Sequence, residues 1–312
     1  MTVKYPAILG SDLAGQVVEV GRSVTHLKVG DRVVGHGIYC RQESASNPEA
    51  AFQNYTVVPG HMASKIPASL SYESACVIPL GLSTSACGLF QDDQLGLNYP
   101  SVDSKPTGKT LLIWGGSTSV GCNAIQLAAA AGYEVITTSS PRNFDYLKKL
   151  GASQVFDYNS KTVVEDIILA FKGKRAAGAL SIGAGAADAC RSILAKSKGN
   201  KFIAMASYPV PLEPPEHFAL IKIAFQFVSW NIVHWVKSKM MGVRSKYIFG
   251  CSLETNGVGK AVYVDFLPKA LEQGSFVAAP EPLVAGKGLG SIQEAFNLQR
   301  EGVSAKKVVV LL

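Results

Sequence analysis

From Thr110 onwards, short apolar runs typical of β-strands alternate with longer segments of helical period. The first run is Thr110–Trp114, a helix rich in small residues follows over 122–131, and a second strand-like run covers Glu134–Thr138. This alternation is the mark of βαβ units, in which parallel strands are joined by helices that cover the sheet. The sequence therefore predicts an α/β fold with a parallel sheet over this part of the chain.

Residues 8–58 have a different pattern. Short runs such as Gln16–Val20 and Tyr55–Val58 are separated by Gly and Pro, which predicts strands and tight turns. From Glu73 to Phe90 the period becomes helical. After about Asp265 a short helix and extended segments end in the strand-like run Lys307–Leu312, which we expect to return to the β-rich first part.

Charge and composition limit the function classes. The 312 residues include 30 Lys and Arg against 23 Asp and Glu, a net charge of +7 without a run of five like charges. We therefore expect no nucleic-acid partner. Apolar residues make up 47% and charged residues 17%, which excludes a disordered chain and suits two domains with filled interiors.

The six cysteines are scattered, without C-x-x-C pairs or zinc-finger spacing, so neither a disulfide framework nor a structural zinc is indicated. The first residues lack the apolar core of a signal peptide. We therefore expect a reducing, cytoplasmic compartment.

An apolar stretch over 219–236 is long enough to suggest a membrane span. It is interrupted by polar residues, and Ile221, Phe225, Val228, Ile232 and Trp235 recur at steps of four and three. This stripe is typical of an amphipathic helix. We expect it to pack against a core or a partner subunit and not to contact a membrane.

The turn between the first strand and its helix reads G-G-S-T-S-V-G over 115–121. Gly116 and Gly121 hold the outer positions of a G-x-G-x-x-G motif, whereas Thr118 stands where the middle glycine is expected. In such a turn, backbone N–H groups and the positive end of the helix dipole face an anion, usually the pyrophosphate of a dinucleotide. A tight turn without a ligand is the alternative interpretation.

The end of the second strand indicates which dinucleotide binds. An NAD site places Asp or Glu there for the ribose 2′-hydroxyl, whereas an NADP site uses polar and cationic groups for the 2′-phosphate. Residues 139–143 contain no acid before Asp145. Arg142 can form two charge-assisted hydrogen bonds to a phosphate, and Ser140 and Asn143 can donate as well. Ser and Asn are also common helix caps, and the same residues can both cap a helix and bind a phosphate. We expect NADPH rather than NADH.

Further motifs lie on both sides of this turn. They are I-L-G-S-D-L-A-G over 8–15, V-G-D-R-V over 29–33, L-G-A over 150–152 and F-D-Y over 156–158. With them the chain resembles, over essentially its whole length, the medium-chain dehydrogenase/reductase superfamily. The greatest similarity is to fungal zinc-independent members, among them the trans-acting enoyl reductases of polyketide synthases and zinc-type alcohol dehydrogenase-like proteins of secondary-metabolite clusters. G-G-S-T at 115–118 and S-P-x-N at 140–143 are shared with that branch.

The resemblance implies a Rossmann-type doubly wound parallel sheet plus a GroES-like, β-rich catalytic domain. The expected division is 1–77 for the first part of the catalytic domain, 78–264 for the NADP-binding domain and 265–312 for the return segment. The resemblance also implies the residues that contact the cofactor. They are Gly116, Ser117, Thr118, Ser119 and Val120 for the phosphates, Ser140, Pro141, Arg142 and Asn143 for the 2′-phosphate, Tyr158 for the adenosine, and Val303 and Ser304 for the nicotinamide side. An ordinary half-buried aromatic is the alternative interpretation of Tyr158.

Two departures from the family pattern concern zinc. Zinc-dependent members have Gly-His-Glu where this chain has G-S-D over 10–12, and the lobe that would carry four structural cysteines holds only Cys40. Because a zinc site needs three or four ligands within tetrahedral reach, we expect no metal. The histidines at 26, 36, 61 and 217 are interpreted as surface or loop residues rather than ligands.

A third departure is at the start. Family members have some tens of residues before the segment that matches 8–15, so we expect either a catalytic domain shortened at its N-terminus or a start that is mis-assigned. In both cases any catalytic residue that the family carries in that region cannot be named here, and the catalytic residues stay unassigned.

The resemblance implies NADPH-dependent, metal-free reduction of an activated C=C bond in an enoyl thioester, enone or quinone. The enolate oxygen then needs a hydrogen-bond donor. Ser83, Thr84 and Tyr208 are polar residues from segments expected near the cleft, and each is equally well explained by packing. The partners expected are a small-molecule or acyl substrate and a polyketide synthase, and the chain would be a monomer or homodimer. The alternatives are an alcohol/carbonyl dehydrogenase and a shortened NADPH-binding protein without catalysis.

Overall fold

The computed structural model describes residues 6–38, 47–209 and 218–312. Close to the N-terminus, three antiparallel strands form a first sheet: β1 (Asp12–Gln16), β2 (Arg32–His36) and β3 (Ala63–Lys65). Their register places Asp12 opposite His36. The chain leaves this sheet after Gln16, so the strand expected over 16–20 ends early and Val18 is exposed.

The second sheet contains seven parallel strands. They are β4 (Lys109–Trp114), β5 (Glu134–Ser139), β6 (Gln154–Asp157), β7 (Arg175–Ser181), β8 (Lys198–Gly199), β9 (Phe202–Met205) and β10 (Arg244–Tyr247). The order across the sheet is β6-β5-β4-β7-β9-β10, with β8 beside β7. The first strand, β4, is therefore central, and the winding reverses between β4 and β7. This is the doubly wound arrangement that the βαβ pattern predicted.

A third, two-stranded sheet pairs β11 (Glu281–Lys287) with β12 (Lys306–Leu311) in parallel. It lies against the first sheet. Lys307 Nζ is 2.7 Å from Asp12 Oδ2, and the rings of Phe52 and Phe296 meet edge to face with centroids 6.0 Å apart. The end of the chain thus returns to its β-rich beginning.

The helices cover the sheets and join them. They are α1 (Tyr72–Ala75), α2 (Pro79–Phe90), α3 (Ser119–Ala130), α4 (Phe144–Lys149), α5 (Val163–Ala170), α6 (Ala186–Lys196), α7 (Ala219–Met240), α8 (Gly257–Gly259), α9 (Leu267–Glu272) and α10 (Ile292–Glu301). A π-helix, Lys260–Phe266, follows α8. The helix expected over 73–90 is divided into α1 and α2 because Pro79, the first residue of α2, cannot continue a preceding helix.

Helix α2 lies in the main core. Leu82, Ala86 and Leu89 are fully buried. Among the described residues, Tyr72–Phe90 is one helical stretch whose length and composition would allow a membrane crossing, but 72% of it is buried inside the protein. Such a stretch is typical of a core helix.

Helix α7 differs from the expectation of packing against a core. The apolar stripe that predicted it lies on its outer face, where Ile221 is 68% exposed and Phe225 75%. Its inner face instead carries Trp230, His234 and Ser238, of which the last two are buried. The period of the stripe predicted the helix correctly, and the core alternative is wrong because aromatic and polar residues of the inner face form the contacts. The partner-subunit alternative stays a prediction.

Among the described residues, four cysteines are free: Cys76, Cys87, Cys122 and Cys190. Burial raises the pKa of the Cys87 thiol to about 12. Cys251, however, is disulfide-bonded, which the scattered spacing did not predict. Cys40 and His217 lie outside the described residues.

Candidate dinucleotide site

The turn between β4 and α3 is organised by Thr118. Its backbone is extended and it caps α3: Oγ1 accepts a hydrogen bond from Gly121 N at 3.0 Å and donates one to Gly115 O at 2.8 Å. A glycine at this position would lose both hydrogen bonds, so Thr118 has a structural role in the turn. The N–H groups of Ser119 and Val120, in the first turn of α3, have no acceptor within the helix and lie at its positive end. The turn can therefore bind an anion.

The two outer glycines of the motif are required by close packing. A Cβ on Gly121 would collide with the Gly115 carbonyl oxygen and lie 2.7 Å from the Gly116 Cα. A Cβ on Gly116 would collide with Thr137 Oγ1. These glycines let the turn pack closely against β5 and against its own backbone at the start of α3.

The structure brings most of the predicted cofactor residues to one edge of the parallel sheet. Because β4, β5 and β6 are neighbours and parallel, their carboxyl ends lie side by side. Ser140, after β5, is 3.3 Å from the Tyr158 hydroxyl, which follows β6. The Asn143 side-chain amide donates to Ser304 Oγ at 3.4 Å. Ser304, two residues before β12, therefore reaches the same edge.

The end of β5 presents polar groups without protein partners. Arg142 is exposed, and its guanidinium forms neither an ion pair nor a hydrogen bond within the part of the chain that the structure describes. Ser139 is buried, and its hydroxyl lacks a hydrogen-bond partner among the same described residues. A buried hydroxyl without a partner is costly unless a ligand or water satisfies it. These groups fit a phosphate at this edge.

The remaining predicted residues border the same edge. Ser117 is half-buried in the turn, and Pro141 is exposed at the start of the short 3₁₀ helix Pro141–Asn143. Val303 is half-buried next to Ser304. Tyr158 is 47% exposed, so its ring is open to an adenosine and is equally consistent with a half-buried surface aromatic.

A buried hydrogen-bonded chain was missed by the sequence analysis. His36, interpreted as a surface or loop residue, is 1% exposed, and its Nδ1 is 2.8 Å from Ser83 Oγ. Ser83 Oγ is 2.8 Å from the Tyr263 hydroxyl, which donates to the carbonyl oxygen of Pro79 at 2.9 Å. Burial lowers the pKa of His36 to about 4. Its place in the strand run 32–36, whose interior residues are buried, was the signal that could have identified it.

Helix α2 also connects the hydrogen-bonded network of His36, Ser83 and Tyr263 to the turn between β4 and α3. We call this turn, residues 115–121, the dinucleotide turn. Ser85 donates to the Val120 carbonyl oxygen at 2.7 Å. A Cβ on Gly81 would lie 2.8 Å from the Ser119 carbonyl oxygen. The first two turns of α2 thus contact His36 through Ser83 and the dinucleotide turn through Ser85.

The other polar residues considered from sequence are separated in space. Thr84 is half-buried and adjacent to Gly250. Tyr208 is 48% exposed and stacks on Tyr247 with centroids 4.6 Å apart, beside α7. His26 and His61 are half-buried, and each ring contacts a backbone carbonyl oxygen. No described side chain other than Ser83 joins the His36–Tyr263 chain.

The segment 10–12 contains no metal-binding pattern. Ser11 is buried, and Asp12 accepts a hydrogen bond from Leu80 N at 2.7 Å, at the first turn of α2. Within 6–38, 47–209 and 218–312, no three His, Cys, Asp or Glu side chains are grouped so that they could hold a metal ion. The Asp12 carboxylate instead caps α2 and pairs with Lys307.

A large cavity of about 1570 Å³ lies elsewhere, between β1, β12 and α10. Its walls include Val18, Tyr55, Phe296 and Leu312 and none of the residues of the dinucleotide turn.

Two sequence families match the chain. Residues 1–68 match the alcohol dehydrogenase GroES-like domain, and residues 119–214 match the zinc-binding dehydrogenase family. A dehydrogenase of Monascus ruber, pigH, is 57% identical over 99% of this chain and 84% of its own length. The chain belongs to the medium-chain dehydrogenase/reductase superfamily. It is therefore an oxidoreductase of the type that uses a nicotinamide cofactor.

Other relatives include enoyl reductases. The enoyl reductase component of the lovastatin nonaketide synthase of Aspergillus terreus, lovC, is 32% identical over 98% of this chain and 82% of that protein. The trans-enoyl reductase himH of Aspergillus japonicus is 36% identical over 99% of this chain and 82% of that protein. The chain thus has relatives in fungal secondary metabolism.

Solved structures show the same fold. An alcohol dehydrogenase superfamily protein from Novosphingobium aromaticivorans superposes with a TM-score of 0.71 at 22% identity, over 98% of this chain and 82% of that one. The mycobacterial protein Rv1454c, solved in complex with NADPH, superposes with a TM-score of 0.64 at 21% identity, over 99% and 84%. These likenesses confirm a GroES-like domain joined to a Rossmann-type parallel sheet.

Proposed function

We propose that the chain is an NADPH-dependent, metal-independent reductase of activated C=C bonds in enoyl thioesters, enones or quinones. The observation that carries the proposal is the sheet edge at which the anion-binding turn, the unpaired Arg142 and the unpaired Ser139 hydroxyl meet. The relatives that are named enoyl reductases support the reaction type.

The choice of NADPH rests on charge at the end of β5. An NADH site requires a carboxylate that accepts from the ribose hydroxyls. Here residues 139–143 contain none. The nearby Asp157 carboxylate accepts from the backbone and side-chain amides of Asn159 at 3.0 and 3.1 Å, so its Oδ1 is already engaged. A cationic, hydroxyl-rich edge favours a 2′-phosphate.

When bound, NADPH supplies a hydride from the nicotinamide ring. The Ser119 and Val120 N–H groups would hold the pyrophosphate, and Arg142 with Ser140 would hold the 2′-phosphate. Tyr158 would cover the adenosine, and Ser304, through Asn143, would fix the chain end at the cofactor edge. Most of the acceleration would then come from the alignment of substrate and cofactor.

The biological setting is proposed from the relatives. An acyl substrate held on a polyketide synthase is the partner that the name of the lovastatin relative supports. We propose a cytoplasmic enzyme with the division 1–77, 78–264 and 265–312, since the antiparallel, parallel and C-terminal sheets fall in these three ranges. We propose no nucleic-acid partner, because the positive charges are dispersed along the sequence.

The cofactor proposal is tested by fluorescence titration with NADPH and NADH. Arg142→Ala should weaken NADPH binding about tenfold, because one exposed charge-assisted contact is lost, and should leave NADH binding unchanged. Arg300→Ala, an exposed arginine on α10, is the matched control. Equal weakening of both cofactors, or tighter binding of NADH than NADPH by the unaltered chain, would contradict the proposal.

The reaction is tested with the same protein by following NADPH oxidation with enones, quinones and an enoyl thioester, in the presence and absence of a chelator. Chelator-resistant oxidation with any of these supports the proposal. Oxidation with aldehydes or ketones alone identifies a carbonyl reductase. Tight NADPH binding without turnover on the whole panel would favour a binding protein without catalysis.

A further inference from the structure

The first turn of α3 presents its N–H groups on rigid peptide units. Because a peptide unit is planar, the direction of its N–H is fixed by the direction of its carbonyl group. The Val120 N–H shares a unit with the Ser119 carbonyl group, and the Gly121 N–H shares a unit with the Val120 carbonyl group. Side chains that hold these two carbonyl groups therefore determine where the start of the helix points its N–H groups.

Both carbonyl oxygens are held by buried side chains. Asn123 Nδ2 donates to the Ser119 carbonyl oxygen at 2.8 Å, and Ser85 Oγ donates to the Val120 carbonyl oxygen at 2.7 Å. Asn123 belongs to α3 itself, four residues further along the chain. Ser85 belongs to α2, 35 positions before Val120. Through Ser85, a separate helix thus helps to fix the start of α3.

The Ser85 hydroxyl bridges the two helices. Its oxygen is also 2.7 Å from the Gly81 carbonyl oxygen of α2, so its single proton lies between two carbonyl oxygens. Ser85 is fully buried, and the helices meet closely here, since a Cβ on Gly81 would lie 2.8 Å from the Ser119 carbonyl oxygen. Without the hydroxyl, the Gly81 and Val120 carbonyl oxygens would lose the proton that they share and would face each other with like partial charges.

Helix α2 is itself fixed to the antiparallel sheet. Ser83 Oγ is 2.8 Å from His36 Nδ1 of β2, and Leu80 N donates to Asp12 Oδ1 of β1 at 2.7 Å. Both bonds lie in the first two turns of α2, which also contain Ser85. The dinucleotide turn is therefore connected to the β-rich part of the protein by a path of buried hydrogen bonds.

We infer that Ser85 is a positioning residue for the dinucleotide, because it holds the Val120–Gly121 peptide unit at the start of α3. The inference rests on the proposed function, since it takes the dinucleotide turn as the site of the pyrophosphate. Ser85 has no surface open to a ligand, so it acts on the cofactor only through the turn. Its hydroxyl therefore favours every ligand that carries a pyrophosphate, with or without a 2′-phosphate.

The test compares Ser85→Ala with the unaltered chain by fluorescence titration. Alanine is smaller than serine and favours helices, so the variant should fold. We expect the Kd of NADPH and the Kd of NADH each to rise about five- to tenfold, because a buried hydrogen bond that fixes the turn is lost. Binding of 2′-AMP, measured by competition with NADPH, should be unchanged, because 2′-AMP carries the 2′-phosphate without the pyrophosphate.

Ser197→Ala is the matched control. Ser197 is also buried and donates to a carbonyl oxygen four residues earlier, that of Ile193, at 2.8 Å. It lies between α6 and β8, at the opposite edge of the parallel sheet from the dinucleotide turn. Its replacement should lower the midpoint of thermal unfolding, as Ser85→Ala does, and should leave the Kd of all three ligands unchanged.

Two results would overturn the inference alone. One is NADPH binding by Ser85→Ala that is as tight as binding by the unaltered chain. The other is an equal weakening of NADPH and 2′-AMP, which would show a general loss of structure rather than a change at the pyrophosphate. An unaltered chain that binds neither NADPH nor NADH would instead overturn the proposed function, and the inference with it.

Discussion

Nδ1 of His36, in β2, lies 2.8 Å from Oγ of Ser83, in α2, and both side chains are buried. His36, Ser83, Tyr263 and the Pro79 carbonyl oxygen form one hydrogen-bonded network, and which group donates in each bond follows from its last member, the Pro79 carbonyl oxygen. The Pro79 carbonyl oxygen can only accept, so the single hydroxyl proton of Tyr263 is donated to it. Ser83 must then donate to Tyr263, and His36 must donate to Ser83 through Nδ1–H. Because burial lowers the pKa of His36 to about 4, the ring is neutral near pH 7 and carries its proton on Nδ1.

Replacement of His36 by Gln should reduce the loss of unfolding free energy that occurs when the pH falls from neutral to about 4. Burial lowers the pKa of His36 to about 4, from an ordinary 6.5. Between these values the unfolded chain binds a proton that the folded chain does not, so stability falls as the pH drops through this window and stops falling below it. The contribution is of order 3 kcal/mol. Urea unfolding at pH 4.5 and 7.5 measures it, and an equal pH effect in both proteins would contradict the assignment.

Tyr263→Phe should reduce the free energy of unfolding by about 1–3 kcal/mol, because the buried Ser83 hydroxyl loses the acceptor of its proton and the Pro79 carbonyl oxygen loses the Tyr263 donor. Ser83→Ala should also be destabilising. Since both changes break one network, their effects should be non-additive by at least about 0.5 kcal/mol. Tyr99→Phe, at a 51% exposed position, is the control with no expected change. Strict additivity would show that Ser83 and Tyr263 act independently.

The residues of the candidate dinucleotide site could be grouped together from sequence because its parts are local. The turn lies between one strand and one helix, and the residues after β5 and β6 follow their strands directly. Since parallel neighbours share an edge, a correct βαβ pattern places these residues together. The proximity of Ser304 to Asn143, 161 positions away in the chain, came from family resemblance rather than from any local pattern.

The His36 chain and the outer face of α7 could not be predicted. His36, Ser83 and Tyr263 come from three distant segments, and nothing in the spacing of single polar residues indicates which of them meet. In α7, the hydrophobic period identified a helix, but which side faces the protein depends on Trp230, His234 and Arg191. A buried polar contact between distant segments overrides the hydrophobic pattern there.

Gly121→Ala should impair the dinucleotide turn. The added methyl group would collide with the backbone of Gly115 and Gly116, which cannot move aside as a flexible side chain can. We expect a loss of about 1–3 kcal/mol of stability and weaker binding of both NADPH and NADH. Gly257→Ala, at an exposed helical position with no atom within 4 Å of the new Cβ, is the matched control. Thermal unfolding and cofactor titration of both variants test this, and normal binding by Gly121→Ala would exclude a tight turn at this position.

Asp12→Ala should destabilise the junction between the β-rich segment and α2. The Asp12 carboxylate accepts from Leu80 N in the first helical turn at 2.7 Å and pairs with Lys307 at 2.7 Å. Both Asp12 and Lys307 are mostly buried, so the substitution removes a helix cap and leaves a cation poorly solvated. A cap contributes about 0.5–2 kcal/mol, and we expect a loss near the upper end of that range.

The matched control is Asp93→Ala, which breaks the pair with Lys246. Both side chains of that pair are at least half exposed, so the change should cost less than about 1 kcal/mol. Urea unfolding of the two variants compares them directly, and equal losses would show that the Asp12 carboxylate contributes no more than a surface charge.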